Sequence, residues 1–171
     1  VNMFQRFKSM IEREGVNAKD GKPSQIIIKC NNMEEIDIGM ALYTASQNGC
    51  EIDMIVRGFC CLRPGVPGRS ERLRVISIIG RFLEHSRLYY FRNGAADPLD
   101  GEFYMGSADL MHRNLYGRVE AIVPILERSL KEKCWEMLQI CLKDQRQTWD
   151  MNSEGQFQQR KGSDPGVHQT L

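Results

Sequence analysis

The sequence predicts an α/β fold, a mixed and mostly parallel sheet flanked by helices. Three observations carry that prediction. An apolar run, Ile26-Ile27-Ile28, precedes a helical pattern over 33–48 and a second apolar run, Ile52 to Val56, so a strand–helix–strand unit with parallel strands is expected. Turn signals at Asn93-Gly94 and Asp97-Pro98 divide two further runs, Leu88 to Phe91 and Glu102 to Met105, as in an antiparallel hairpin. Amphipathic patterns near both ends supply helices to cover the sheet.

The elements follow in order. Phe4, Phe7, Met10 and Ile11 recur at helical spacing and Gly15 follows, which predicts a helix over 2–14. The isoleucine run is continuous rather than alternating, as expected of a strand covered on both faces. Residues 33–48 carry acidic residues in their first turn and end before Gly49, the natural stop of a helix. Val75 to Ile79 and Val119 to Val123 are apolar enough for two more strands. Pro124 is placed to open a helix through about Leu142, with Leu126, Leu130, Cys134, Met137, Leu138 and Cys141 on one face. From Asp144 the chain is rich in Gln, Gly, Ser and Asp, so a single domain over 1–157 and a disordered tail over 158–171 are expected.

Composition narrows the function. A chain of 171 residues with 42% hydrophobic and 26% charged residues is ordinary for a globular domain. Its net charge of +1 disfavours general nucleic-acid binding, so any anion site must arise from local clustering of arginine and lysine. No apolar stretch is long enough for a membrane span, and the first residues lack a signal peptide's apolar segment, which points to a cytoplasmic protein. The six cysteines show no zinc spacing and read as buried reduced thiols. The chain starts on valine and opens directly in a helical pattern, as a C-terminal piece of a longer protein would.

The chemistry concentrates in two stretches. Residues 57–69 and 80–87 hold Arg57, Arg63, Arg69, Arg81, Arg87 and His85 among turn-forming Gly and Pro. Arg57 follows a buried strand, the end at which open α/β sheets bind ligands, and guanidinium grips phosphate oxygens two at a time. On a strand, His85 and Arg87 project together, Ser86 points elsewhere, and an imidazole beside a fixed cation suits phosphoryl chemistry. On these residues alone the alternative, a hydrogen-bonded core histidine beside a solvated arginine, stays open. Gly106-Ser107-Ala108-Asp109 adds a small turn whose hydroxyl and N–H groups suit the same anion, with Arg113-Asn114 and Arg118 just beyond. Lys29 and Asn31, ending the first strand, are expected beside Arg57. His112 and His168 have no partner at useful spacing.

The stretches Ile28 to Asn31, Ile55 to Val66, Gly80 to Arg87, Gly106 to Asp109 and Arg113 to Leu115 resemble the last domain of bacterial polyphosphate kinase, over about residues 2–157. The resemblance implies a phospholipase D-like fold and an enzyme that transfers the terminal phosphate of ATP reversibly to polyphosphate through a phosphohistidine. It implies that this histidine, and the ligands of Mg2+, belong to a preceding domain. Arg57 and His85 then contact the ATP phosphates, His85 as a phosphate ligand or acid/base and not as the covalent carrier, with Lys29, Arg87, Ser107 and Arg113 as further candidates. His85-Ser86-Arg87 and Gly106-Ser107-Ala108-Asp109 stand where phospholipase D domains carry His-x-Lys and Gly-Ser-x-Asn, and Phe91-Arg92 stand at that motif's Asp position. The implied partners are ATP, ADP, polyphosphate and the enzyme's other domains, in a homo-oligomer, in the cytoplasm or attached peripherally to the inner membrane; the isolated piece is expected to be inactive. A phospholipase D-like phosphodiesterase and a polyphosphate-binding module without chemistry are the alternatives.

Overall fold

The isoleucine run becomes the middle of an eight-stranded sheet. The computed structural model describes residues 2–163 and 165–171. Its elements are α1 (Met3–Lys19), β1 (Gln25–Cys30), α2 (Ile36–Gln47), β2 (Glu51–Val56), β3 (Leu73–Ile78), β4 (Leu88–Phe91), β5 (Glu102–Gly106), β6 (Ile122–Ile125), α3 (Arg128–Lys143), β7 (Thr148–Met151), β8 (Phe157–Gln159) and α4 (Val167–Thr170). The strands lie in the order β6-β5-β4-β1-β2-β3-β7-β8.

The α/β class and the strand–helix–strand unit agree with the sequence, but the sheet is mixed with a mostly antiparallel pattern. Only β1–β2 and β2–β3 are parallel, and the other neighbours are antiparallel. Chain length between strands accounts for two of the reversals, β4–β5 and β7–β8. Parallel neighbours need a long crossover, whereas the short connections after β4 and β7 allow only a reversal.

Alternation along β1 divides the core. Ile26, Ile28 and Cys30 pack with Phe7, Ile11, Ile38 and Leu42 on the side of α1 and α2. Ile27 packs with Ile55, Ile76, Leu138 and Cys141 on the side of α3. With both faces covered, polarity has no reason to alternate, and the run is apolar throughout.

Three boundaries depart from the sequence. Helix α1 runs on through Gly15 to Lys19 because Gly15 is where α1 and α2 touch: a Cβ there would lie 3.1 Å from the Cα of Ala45. One residue earlier the buried Glu14 accepts from the backbone N–H groups of Gln25 (3.2 Å) and Asn93 (2.6 Å), tying α1 to the strands. Pro124 lies inside β6, opposite Tyr104, and α3 opens only at Arg128. β6 is an edge strand, where the missing N–H of proline costs no ladder bond.

The tail is a fourth correction. Among its described residues, Gln158 and Gln159 pair with β7, and Arg160 holds Asp150 through Nε–Oδ2 and Nη2–Oδ1 contacts of 2.7 Å each. Val167 is buried, its N–H donating to Asp144 Oδ1 at 3.1 Å. A polar composition predicts mobility on average, and here a few well-placed anchors overrule it; Asp164 lies outside the described residues. Among the described residues no helix is long and apolar enough to cross a membrane.

Candidate functional site

β1 and β2 end together, the Arg57 N–H donating to the Cys30 carbonyl at 3.3 Å, and pass their next residues to one sheet edge. A cavity of about 430 Å³ opens there, and Arg57, His85, Arg87, Ser107 and Arg113 all line it. Arg118, Asp109 and Glu120 complete its charges, so four guanidiniums meet two carboxylates in a chain of net charge +1. The local clustering expected of an anion site is present.

Arg57 Nη1 donates to the Glu84 carbonyl at 2.8 Å and stands 3.4 Å from Nδ1 of His85. When Nδ1 accepts from Arg57, the ring proton resides on Nε2, which makes His85 a donor toward an anion in the cavity. His85 is exposed, which rules out the core-histidine alternative, but it lies in the irregular segment before β4 rather than on a strand. The shared direction of His85 and Arg87 therefore comes from anchoring and not from strand alternation.

That anchoring is Asp109. Arg87 grips it at two points, Nε to Oδ1 at 2.9 Å and Nη2 to Oδ2 at 3.1 Å, while Arg87 Nη1 donates to the His85 carbonyl at 3.2 Å. Asp109 also accepts from the Asn31 backbone N–H (2.7 Å) and from Asn31 Nδ2 (3.2 Å). Burial by itself pushes the Asp109 carboxyl up, but the Arg87 and Asn31 bonds outweigh it and hold it below the usual carboxylate range. Much of the bonding capacity of Arg87 is thus committed within the protein, and it shapes the segment carrying His85.

Ser107 lines the cavity with its hydroxyl turned to a carboxylate: Oγ donates to Glu120 Oε2 and accepts from the Ala121 N–H at 3.1 Å. The buried Asn114 holds the other oxygen of Glu120, Nδ2 to Oε1 at 2.6 Å. Lys29 departs from expectation. It is 2% exposed and lies away from the cavity, its Nζ bonded to Glu84 Oε2 (2.8 Å) and Ser86 Oγ (2.9 Å). Alternation explains the placement, since Lys29 shares the α3-facing side of β1 with Ile27.

His168, expected to be without a partner, has several. Nε2 contacts Glu84 Oε1 at 2.8 Å, and Nδ1 accepts from the Phe82 N–H at 3.2 Å. His112 stacks on Tyr116 at 4.5 Å between ring centroids. Cys30, Cys50 and Cys141 are buried, and burial pushes the Cys141 thiol up to about 12; Cys61 is exposed, contrary to the expectation of buried thiols. The residues not anticipated at the site are Glu120, Glu84 and His168. Glu120 was hidden because its segment reads as a strand, and no spacing rule links residues 84 and 168. Among the described residues no group of three or more His, Cys, Asp or Glu is placed to hold a metal ion.

Residues 1–169 match the family model described as polyphosphate kinase C-terminal domain 2. The polyphosphate kinase of Synechocystis sp. is 48% identical over 170 residues, covering 99% of this chain and 23% of that protein, and that of Thermosynechococcus vestitus is 48% identical over 175. This chain therefore spans about a quarter of the length of the curated relatives it matches. Among solved structures, the polyphosphate kinase of Porphyromonas gingivalis superimposes with a TM-score of 0.87 at 37% identity, over 95% of this chain and 24% of that one. Nuc from Salmonella typhimurium, a phospholipase D family member, is similar in fold at a TM-score of 0.56 and 17% identity, over 81% of this chain and 89% of its own. With the family model covering nearly every residue, the chain belongs to the polyphosphate kinase family, as its second C-terminal domain.

Proposed function

We propose that this chain is part of an ATP:polyphosphate phosphotransferase and supplies Arg57 and His85 as contacts to the transferring phosphate, at a site completed by a preceding domain that carries the phosphohistidine. The observation that carries this reading is the placement of Arg57 Nη1 3.4 Å from His85 Nδ1 on the wall of one cation-rich cavity. Phosphoryl transfer spreads negative charge over the phosphate's outer oxygens, and preorganised donors that need not rearrange stabilise it. Arg57, steadied through the Glu84 carbonyl, supplies a fixed charge. His85 supplies a proton at Nε2, and Arg113 widens the positive lining. Ser107 and Arg87 line the same wall, with Arg87 acting mainly through the carbonyl of His85. Lys29 serves the fold beneath the site. On this reading the full-length enzyme works on ATP, ADP and polyphosphate in the cytoplasm as a homo-oligomer, with magnesium held by residues outside this chain.

The test is phosphoryl transfer by full-length Arg57→Ala and His85→Ala enzymes. Each is expected to lose on the order of 100-fold in kcat, the scale of one lost donor to a developing charge, with an unchanged unfolding midpoint. Turnover near the parental rate in both variants overturns the reading. Polyphosphate binding that persists with no rate dependence on His85 identifies a binding module instead, and phosphodiesterase activity of the chain alone identifies a hydrolase.

A further inference from the structure

The segment that presents His85, residues 79–87, forms neither helix nor strand. Side chains from elsewhere hold it. Arg57 bonds the Glu84 carbonyl at 2.8 Å, and Lys29 bonds the Ser86 carbonyl at 3.3 Å and the Ser86 hydroxyl at 2.9 Å. Arg87, within the segment, is tied to Asp109, and a further hold comes from the far end of the chain. His168, at the start of α4, reaches the segment with both ring nitrogens: Nε2 meets Glu84 Oε1 at 2.8 Å, and Nδ1 accepts from the Phe82 N–H at 3.2 Å.

Glu84 is where these contacts converge. Its two carboxylate oxygens are divided between Lys29 and His168, at 2.8 Å each, its carbonyl holds Arg57, and the next residue is His85. The carboxylate is half-buried and both partners are almost fully buried, with 3% and 6% of their side chains exposed. Burial by itself raises the Glu84 carboxyl, yet the Lys29 and His168 bonds hold it below its ordinary value. The backbone makes room for the arrangement. A Cβ on Gly80 would lie 2.5 Å from His168 Nδ1, and the His168 N–H is itself fastened to Gln147 Oε1 at 3.0 Å.

We propose that His168 is a positioning residue for His85: the C-terminal tail acts through the Glu84 carboxylate to hold the segment in which imidazole and Arg57 meet the phosphate. The proposal rests on the phosphotransferase reading of the cavity. Arg57 and His85 touch one another without the tail, but the carbonyl that orients Arg57 belongs to Glu84, and among the described residues Glu84's side chain is held only by Lys29 and His168. Releasing one of those two holds frees the segment to sample positions in which the two phosphate contacts no longer coincide. An ångström of misplacement is enough to cost a large factor in rate.

The experiment uses the full-length polypeptide. ATP-to-polyphosphate transfer is measured for the parent, His168→Ala, His168→Gln, His85→Ala and the His85→Ala/His168→Ala double variant, together with amide hydrogen exchange at Phe82 and across residues 79–87. His168→Ala is expected to lower kcat about 10-fold, to change KM for ATP by less than about 3-fold, and to speed exchange at Phe82. His168→Gln retains a donor near the position of Nε2 and is expected to recover most of the rate. In the His85→Ala background, His168→Ala is expected to cost a smaller factor than in the parent, because only Arg57 is left to place. Parental kcat in His168→Ala, or the same fold loss in both backgrounds, overturns the proposal. If His168→Ala does not fold, Glu84→Gln carries the same comparison with the same criteria. Should His85→Ala alone keep parental turnover, the role given to His85 in the phosphotransferase reading falls and this proposal with it, and exchange at Phe82 separately decides whether the tail holds the segment.

Discussion

Arg87 and Asp109 are joined by a two-point ion pair, and the third arm of the same guanidinium holds the carbonyl of His85 at 3.2 Å. One buried carboxylate thus governs the approach of the cavity's histidine. It also closes the return from β5 onto the end of β1, through the Asn31 N–H at 2.7 Å.

Replacing Asp109 by Asn sets an amide N–H₂ against donors that have no other acceptor. Asp109→Asn is expected to destabilise the fold by about 3 kcal/mol, the usual cost of stranding one partner of a buried pair, and to lower phosphoryl transfer as well. The denaturation midpoint of the chain measures the first effect and the turnover of the full-length enzyme the second. A midpoint equal to that of the parent removes Asp109 from this role.

Acid behaviour follows with a definite sign. Asp109 and Glu84 both titrate below their ordinary values in the folded state, so they bind fewer protons folded than unfolded. Their contribution is complete above the unfolded values of about 3.9 and 4.3, and it fades as pH falls through the lower folded ones. Glu14 and Asp53, which burial raises, work in the opposite direction. The stability gap between the parent and Asp109→Asn should therefore narrow as pH falls from about 6 to about 3. A gap that stays constant over this range contradicts the assigned shift.

Ser107 separates a wall residue from a ligand. Its hydroxyl hydrogen is directed to Glu120 and its oxygen accepts from the Ala121 N–H. Ser107→Ala is accordingly expected to change KM for ATP by less than about 3-fold, within the net worth of one hydrogen bond, where Arg57→Ala has a far larger effect. A rise above about 10-fold would return the hydroxyl to the phosphate.

Much of the site was legible in the linear order of residues. Arg57 after an apolar strand, His85-Ser86-Arg87 before another, and Gly106 to Asp109 at a hairpin's return mark three chain positions that the fold brings to one cavity wall. The cases of Lys29 and Arg87 were not legible. Each is a cation near the expected edge, and whether it faces the cavity or a buried carboxylate depends on a pairing partner 55 residues away for Lys29 and 22 for Arg87. Pro124 and the polar tail misled for a related reason. Local preference sets a prior that an edge-strand position or a few anchoring bonds override.

Periodicity and turn chemistry by themselves determined the α/β class, the central strand–helix–strand unit, the hairpin after it and the arginine- and histidine-bearing segments, since each depends on neighbours within a few residues. Tertiary structure alone decided which way most strands run, which carboxylate neutralises which cation, and that His168 returns across the chain to Glu84 beside His85. These outcomes turn on contacts between distant residues, and such contacts exist only once the closing of long loops has been offset by burial of the shared core.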